Sequence, residues 1–122
     1  LAGRKVELPA DPGIRTTEEQ TIAAYQKFLD VAPRAPQRAE AMRRLGDLEM
    51  DLADRRMAEG TAAGTEADFR AAIARYQDYL RTYPKAPDTD RVLYQLARAH
   101  EQGGQLEQAL AVLDRLVAAY PD

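Results

Sequence analysis

The side chains of this chain that could do chemistry are few. The 122 residues include one histidine, His100, and no cysteine, which excludes thiolate catalysis, cysteine-ligated zinc, iron–sulfur clusters and disulfides. Catalytic groups and metal ligands generally occur in sets, and the sequence alone cannot place the Asp, Glu or Ser partners that the histidine would need near it. His100 is either such a group or a packing and hydrogen-bonding residue between helices, and the sequence favours the second interpretation.

Four acidic residues, Asp47, Glu49, Asp51 and Asp54, form the other candidate site. Asp47, Asp51 and Asp54 share a helical face, because their spacings are four and three residues. Together they could in principle hold a cation. Arginines lie within reach of that face, at positions Arg43, Arg44, Arg55 and Arg56. A solvated mosaic of charges is therefore the simpler interpretation. No catalytic triad, paired-carboxylate motif or phosphate loop is visible, so we predict no enzyme, no cofactor and no metal.

The charge and the hydropathy of the chain exclude two further classes of partner. Lys and Arg number 17 against 20 Asp and Glu, a net charge of −3, which gives little of the basic field that nucleic acid requires. No apolar run approaches the roughly 18 to 20 residues that span a bilayer. We therefore predict neither nucleic-acid binding nor a direct membrane span.

The local pattern predicts an all-α protein of about five helices behind an irregular arm. Residues 1–15 hold two prolines and two glycines without a sustained helical period, which predicts the arm. The remainder is rich in good helix formers, and prolines, glycines and capping residues divide it. The expected helices run from Thr16 to Pro33, Pro36 to Gly60, Thr65 to Pro84, Pro87 to Gly103, and Leu106 to Pro121.

Two stretches of the chain repeat each other at a constant shift of 51 residues. The octapeptide that begins at Ile22 (Ile-Ala-Ala-Tyr-Gln-Lys-Phe-Leu) matches the one that begins at Ile73 (Ile-Ala-Arg-Tyr-Gln-Asp-Tyr-Leu). Each is followed by Pro-x-Ala-Pro, starting at Pro33 and Pro84, and the punctuation recurs at a shift of 37 at Pro121. Chance similarity between Ala-rich helices would not preserve both prolines and aromatic spacing, so the chain is predicted to consist of repeated helix pairs.

These residues resemble the tetratricopeptide repeat, a helix–turn–helix unit of about 34 residues. Its first helix carries bulky-x2-Leu-Gly-x2-Tyr, and its second carries Ala-x3-Phe and ends in Pro. One match runs from Leu93 to Pro121, and another, expanded by about fourteen residues between its helices, runs from Met42 to Pro84. Glu49 and His100 stand where the family has Tyr. The resemblance implies an α–α superhelix, a right-handed solenoid.

The family register divides the chain into an arm at 1–15, a half repeat at 16–34, an expanded repeat at 36–85 and a repeat at 87–122. The expansion requires either longer helices or an intervening loop. Because the pattern stops after a helix with an apolar face, we expect the chain to be a piece of a longer protein. We also expect that exposed helix to allow pairing of two copies.

The Pro-x-Ala-Pro connections resemble those of bacterial envelope proteins of the same family. Examples are the outer-membrane barrel-assembly lipoprotein and the Tol–Pal-associated coordinator. This resemblance implies a periplasmic location, with attachment to the outer membrane in the full-length protein, and a role in envelope assembly or maintenance. Without it, the cytoplasm is the expected location.

In this family the first helix of each pair lines a concave groove that binds a peptide or another protein. The register puts Tyr94 on that face, whereas the other tyrosines of the repeats take packing positions. It places six further residues there: Arg43, Asp47, Met50, Arg91, Arg98 and Gln102. Aromatic and arginine side chains are common in contact surfaces. The leading hypothesis is a non-catalytic protein-interaction scaffold, and a structural spacer or self-association module is the alternative.

Overall fold

The structure, a computed structural model, describes residues 10–60 and 65–121. That part of the chain folds into five α-helices and contains no strand. The helices are α1 (Ala10–Val31), α2 (Arg38–Ala58), α3 (Thr65–Thr82), α4 (Thr89–Gln102) and α5 (Leu106–Ala119). The predicted all-α fold is confirmed, because apolar residues at helical spacing are interrupted only by short connections.

The first helix begins earlier than the sequence pattern predicts. An irregular arm over residues 1–15 is wrong for residues 10–15, which form the first turns of α1. Pro12 is the third residue of this helix, where a backbone N–H has no intrahelical acceptor, so proline removes no helical hydrogen bond. Residues 1–9 lie outside the described part of the chain.

The connections before α2 and α4 are the same turn, repeated. The sequence pattern predicts Pro36 and Pro87 in the first turns of the helices, but both prolines precede them. The N–H of Arg38 donates to the carbonyl of Ala35 at 3.1 Å, and the matching bond before α4 measures 3.3 Å. Each proline therefore takes the second position of a four-residue turn, for which its fixed φ is suited.

Glycine ends α2 and α4, as expected. Gly60 and Gly104 have φ values of 76° and 81°, in the left-handed region that favours residues without a Cβ. After α4, Gly104 donates its N–H to the carbonyl of Glu101 at 3.0 Å, and Gln105 donates to that of His100 at 2.8 Å. These two bonds satisfy carbonyls at the helix end and turn the chain sharply into α5.

Consecutive helices pack against one another, and α2 also contacts α4. Helix α3 is thus covered by both α2 and α4, whereas among the described elements α5 packs only on α4. One core runs through the stack, and its largest fully buried side chains are Tyr76, Phe69, Leu45, Met50, Leu93 and Val92. The arrangement places α2 and α4 side by side, as in an array of helix pairs.

The expansion between residues 51 and 68 lengthens the helices. Helices α2 and α3 have 21 and 18 residues, whereas α4 and α5 have 14 each. The extended end of α2 carries Arg56, which pairs with Glu19 of α1 at 2.7 Å and with Asp68 of α3 at 3.0 Å. Arg55 pairs with Glu18 of α1 at 2.9 Å. The added turns therefore tie three helices together.

Candidate functional site

Two ion pairs hold α2 and α4 in parallel register. Asp47 lies 4.0 Å from Arg91, and two turns further along both helices Asp54 lies 3.2 Å from Arg98. The exposed surface around these pairs is called the α2/α4 face. It comprises Arg43, Asp47, Asp51, Arg91, Tyr94, Arg98 and Gln102.

Asp47 is held by the protein itself. Its carboxylate accepts a hydrogen bond from the Tyr76 hydroxyl at 2.6 Å and another from Arg43 at 2.9 Å. Arg43 also reaches Asp88, at the start of α4, with 3.4 Å between nitrogen and oxygen. Burial and the bond to Asp47 raise the pKa of Tyr76. At this end the face is a network that joins α2, α3 and α4.

Residues on α4 form the open part of the face. Arg91, Tyr94, Arg98 and Gln102 recur at spacings of three and four residues, which places them along one side of the helix. Tyr94 is 54% exposed, and Arg91 and Gln102 are exposed as well. Arg98 is only partly exposed. Besides its ion pair with Asp54, it donates a hydrogen bond to the Gln95 amide oxygen at 3.0 Å. An exposed aromatic side chain, one helical turn from an arginine on either side, is thus presented to solvent.

Met50 does not belong to this face. Its side chain has no exposed surface and is part of the core, so its assignment as a groove residue is wrong. Helix α2 is covered by α1, α3 and α4, and this leaves a narrower exposed strip than the family register suggests.

Asp51 belongs to the face and is missing from the predicted groove residues. It is exposed, and no hydrogen bond or ion pair joins its carboxylate to another described residue. The pKa of Asp51 is raised mainly by partial burial and, to a smaller extent, by the neighbouring carboxylates Asp47 and Asp54. Arg98 lowers it. Its spacing from those two aspartates was the sequence signal that could have identified it.

The two buried polar residues at the family's Tyr position have partners inside the fold. Glu49 lies 3.3 Å from each of two guanidinium nitrogens of Arg75. Burial raises the pKa of Glu49, and Arg75 partly offsets this. His100 is buried, and its Nδ1 lies 2.7 Å from Oε1 of Gln105. The packing interpretation of His100 agrees with this position.

The described residues offer neither a metal site nor a membrane-spanning helix. Within residues 10–60 and 65–121, no three His, Cys, Asp or Glu side chains are grouped so that they could hold a metal ion. In the same residues, no helix is long and apolar enough to cross a membrane.

Paired helices that stack on a shared core, with alternate helices side by side, define the class of helical-repeat proteins. Comparison with known proteins narrows the class. The family model of the tetratricopeptide repeat matches residues 57–122, just over half of the chain, and the chain belongs to this family. No curated protein and no solved structure matches the chain. Tetratricopeptide repeats generally mediate protein–protein interactions and are generally not catalytic.

Proposed function

We propose that the protein is a non-catalytic scaffold that binds a peptide or another protein on the α2/α4 face. The observation that carries the proposal is Tyr94, an exposed aromatic side chain on α4 that lies one helical turn from Arg91 and one from Arg98. Tyrosine and arginine are enriched where interfaces concentrate their binding energy. All three lie on α4, which runs beside α2, and an array of helix pairs presents its extended surface on such neighbouring first helices.

The charges of the face describe the partner. Asp51 forms no ion pair with another described residue and is available to a lysine or arginine of the partner. Arg91 is only loosely paired, at 4.0 Å from Asp47, and can accept a carboxylate. A segment with a basic residue, an apolar residue over Tyr94 and an acidic residue would match all three groups.

The experiment selects peptides from a random library on the full chain and measures their affinity for two variants. Tyr94→Ala with Arg98→Ala should weaken binding by about tenfold or more while the melting temperature stays nearly unchanged. The control is Val31→Ala with Arg70→Ala, which removes an exposed apolar side chain and an exposed arginine elsewhere. A double variant that binds normally but melts much earlier would contradict the proposal.

The proposal includes the repeat division and the cellular setting. We infer a half repeat at 16–34, an expanded repeat at 36–85 and a repeat at 87–122, within a longer protein. The Pro-x-Ala-Pro connections support a role in bacterial envelope assembly or maintenance and a periplasmic, outer-membrane-attached location. Release of the full-length protein by osmotic shock, or its sedimentation with outer membranes, tests the location. Recovery only with cytoplasmic markers would contradict it.

A second candidate function is that of a structural spacer or self-association module. An exposed apolar surface favours self-association. Apolar side chains on α5 and at its C-terminal cap are exposed and define the α5 stripe: Leu106, Leu110, Leu113, Val117 and Tyr120. Exposed apolar rows of this kind mark interaction sites. Sedimentation should show that the wild type forms dimers and that the double variant Leu110→Glu with Val117→Glu is monomeric. A strict monomer at high concentration would exclude pairing.

A further inference from the structure

A cavity of about 220 Å³ opens between α3 and α5, and its lining shares no residue with the α2/α4 face. Among the described helices, α3 and α5 do not contact each other, and α4 packs against both. The cavity is therefore a gap between two second helices that a first helix closes at the bottom. The lining defines the α3/α5 notch: Gln77, Leu80, Arg81, Leu96, Val112 and Arg115.

The notch has an apolar floor and a charged rim. Leu80 and Leu96 are buried, and Val112 is partly buried and packs against the core. The polar side chains of the lining are exposed. Sites for small molecules combine such an apolar surface with a few polar groups that fix the orientation of the ligand. Because the notch is smaller than the roughly 300–1,000 Å³ of sites for drug-sized ligands, its ligand must be small.

The same gap occurs once more in the described chain, between α1 and α3. A cavity of about 250 Å³ lies there, and its lining defines the α1/α3 notch: Gln26, Leu29, Asp30 and Arg75. At the shift of 51 residues, the first three of these correspond to Gln77, Leu80 and Arg81. The two notches thus share a glutamine and a leucine, and an arginine stands where the other has an aspartate. The α1/α3 notch is therefore an internal control for the role of charge.

Charge distinguishes the two notches. In the α1/α3 notch the guanidinium of Arg75 is paired with Glu49 at 3.3 Å, so the exposed Asp30 supplies the available charge. In the α3/α5 notch Arg81 stands at the position of Asp30, and Val112 stands at that of Arg75 at the shift of 37. One notch therefore combines an acid with an internally paired cation, and the other combines a cation with an apolar side chain.

A second arginine, Arg115, adds to the positive charge of the α3/α5 notch. No hydrogen bond or ion pair joins its guanidinium to another described residue. Arg81 pairs with Asp78 along the exposed side of α3, and this pair offsets part of its charge. Guanidinium groups bind carboxylates through paired N–H donors, and they are less strongly hydrated than ammonium groups. The rim is therefore suited to a carboxylate.

We propose that the α3/α5 notch binds a small aliphatic carboxylic acid. Its carboxylate accepts hydrogen bonds from Arg115 and Arg81, and its branched chain lies on the floor that Leu80, Leu96 and Val112 form. The ligand must carry both parts, because the contacts of either part alone are too few for binding. The α1/α3 notch does not bind the acid, since the carboxylate of Asp30 repels it.

The direct test titrates isocaproate into the full chain and follows the methyl signals by NMR. We expect saturable binding with a Kd of about 1 mM, with shifts at Leu80, Leu96 and Val112 and none at Leu29. The neutral analogue isocaproamide and inorganic phosphate should each bind at least about tenfold more weakly. Absence of saturation up to about 20 mM would overturn the proposal, as would equal binding of either comparator.

The end of a peptide offers the same two groups on a longer body. N-acetylglycyl-leucine carries a free carboxylate next to an aliphatic side chain, but the notch is small for its additional peptide unit. It should therefore bind about fivefold more weakly than isocaproate. Tighter binding of this dipeptide would make the ligand the C-terminus of a protein and would overturn the proposal of a small acid.

An exposed arginine in the notch and another outside it provide a variant and its control. Arg115→Gln removes a guanidinium that has no partner among the described residues, so it should weaken binding by about tenfold without lowering the melting temperature. Arg70→Gln removes an arginine of α3 that lies outside the notch, and binding should stay unchanged. Asp78→Asn releases Arg81 from its ion pair and should tighten binding about two- to threefold. Equal binding by the two arginine variants, or weaker binding by Asp78→Asn, would overturn the assignment.

Discussion

The pair α2–α3 and the pair α4–α5 solve one packing problem with different residues. Where the first pair has Gly46 under Tyr76, the second has Ala97 and Leu113 at the matched positions. A methyl group on Gly46 would lie 2.6 Å from the tyrosine ring, whereas Ala97 is accommodated and buried. The two positions therefore vary together, because a large aromatic ring at one requires the absence of a side chain at the other.

The same comparison holds for the buried polar positions. Glu49 and His100 occupy one register, and both are buried. The carboxylate of Glu49 has Arg75 as its partner, but the residue matched to Arg75 in α5 is Val112, which cannot pair with a charge. The second pair instead uses an imidazole that bonds to Gln105. A buried polar group is retained only together with its partner.

Position in the stack explains the difference in burial. Helix α3 lies against both α2 and α4, and Tyr76 is completely buried. Among the described helices α5 packs only on α4, and the matched Leu113 remains 36% exposed. Matched register positions should therefore contribute unequally to stability, because α3 has a helix on each side and α5 has only one among the described helices.

The largest expected effect comes from truncating the matched residues Tyr76 and Leu113 in the second helices of the two pairs. Tyr76→Ala should lower the free energy of unfolding by about 3–5 kcal/mol, since it removes a fully buried ring. Leu113→Ala should cost about 1 kcal/mol or less, because much of that side chain is already in water. Urea unfolding measures both. Equal losses would show that the stack position does not decide burial.

The next effect concerns the residue under the ring. Gly46→Ala should destabilise by about 1–3 kcal/mol through overpacking, although alanine favours a helix by about 1 kcal/mol. Gly46→Ala with Tyr76→Leu transplants the combination of the second pair and should be less destabilised than the sum of the single variants. The control, Ala97→Gly, should cost about 1 kcal/mol. Additive single effects would contradict the linked variation.

Asp47 and Arg98 also occupy matched positions and provide a smaller contrast. Asp47→Ala leaves the buried Tyr76 hydroxyl without its acceptor and should cost about 1–3 kcal/mol. Arg98→Ala breaks a partly exposed pair with Asp54 and should cost less than about 1 kcal/mol. Thermal unfolding of the two variants tests the difference. A larger loss for Arg98→Ala would make that pair structural and weaken its proposed role in binding.

The smallest expected effect is a pH dependence confined to the first pair. The raised pKa of Glu49 means that the folded protein binds a proton more tightly than the unfolded chain. Its contribution to stability is complete below the ordinary value of 4.5 and is lost as the pH rises through the folded-state pKa. The wild type should therefore gain stability relative to Glu49→Gln as the pH falls from 7 to 4.5. A difference that grows in the opposite direction would contradict the burial argument.

Much of the fold could be predicted from the chain alone, and the candidate site only in part. The five helices follow from apolar spacing, and Gly60 and Gly104 end two of them as expected. Tyr94 and Arg91, which the repeat register assigned to the groove face, are exposed, and their role in binding stays a prediction. Met50 was misplaced because helical spacing gives the direction of a side chain but not the number of helices that cover it.

The amino-acid sequence by itself determined the repeated helix pairs, since proline, glycine and apolar spacing act within a few residues. Only the tertiary structure decided that the expansion lengthens α2 and α3, that Asp47 bonds to Tyr76, and that Asp51 forms no ion pair with another described residue. These outcomes depend on distances between residues remote in sequence. Such distances are set by side-chain volumes at the helix contacts, and they exist only once the helices pack.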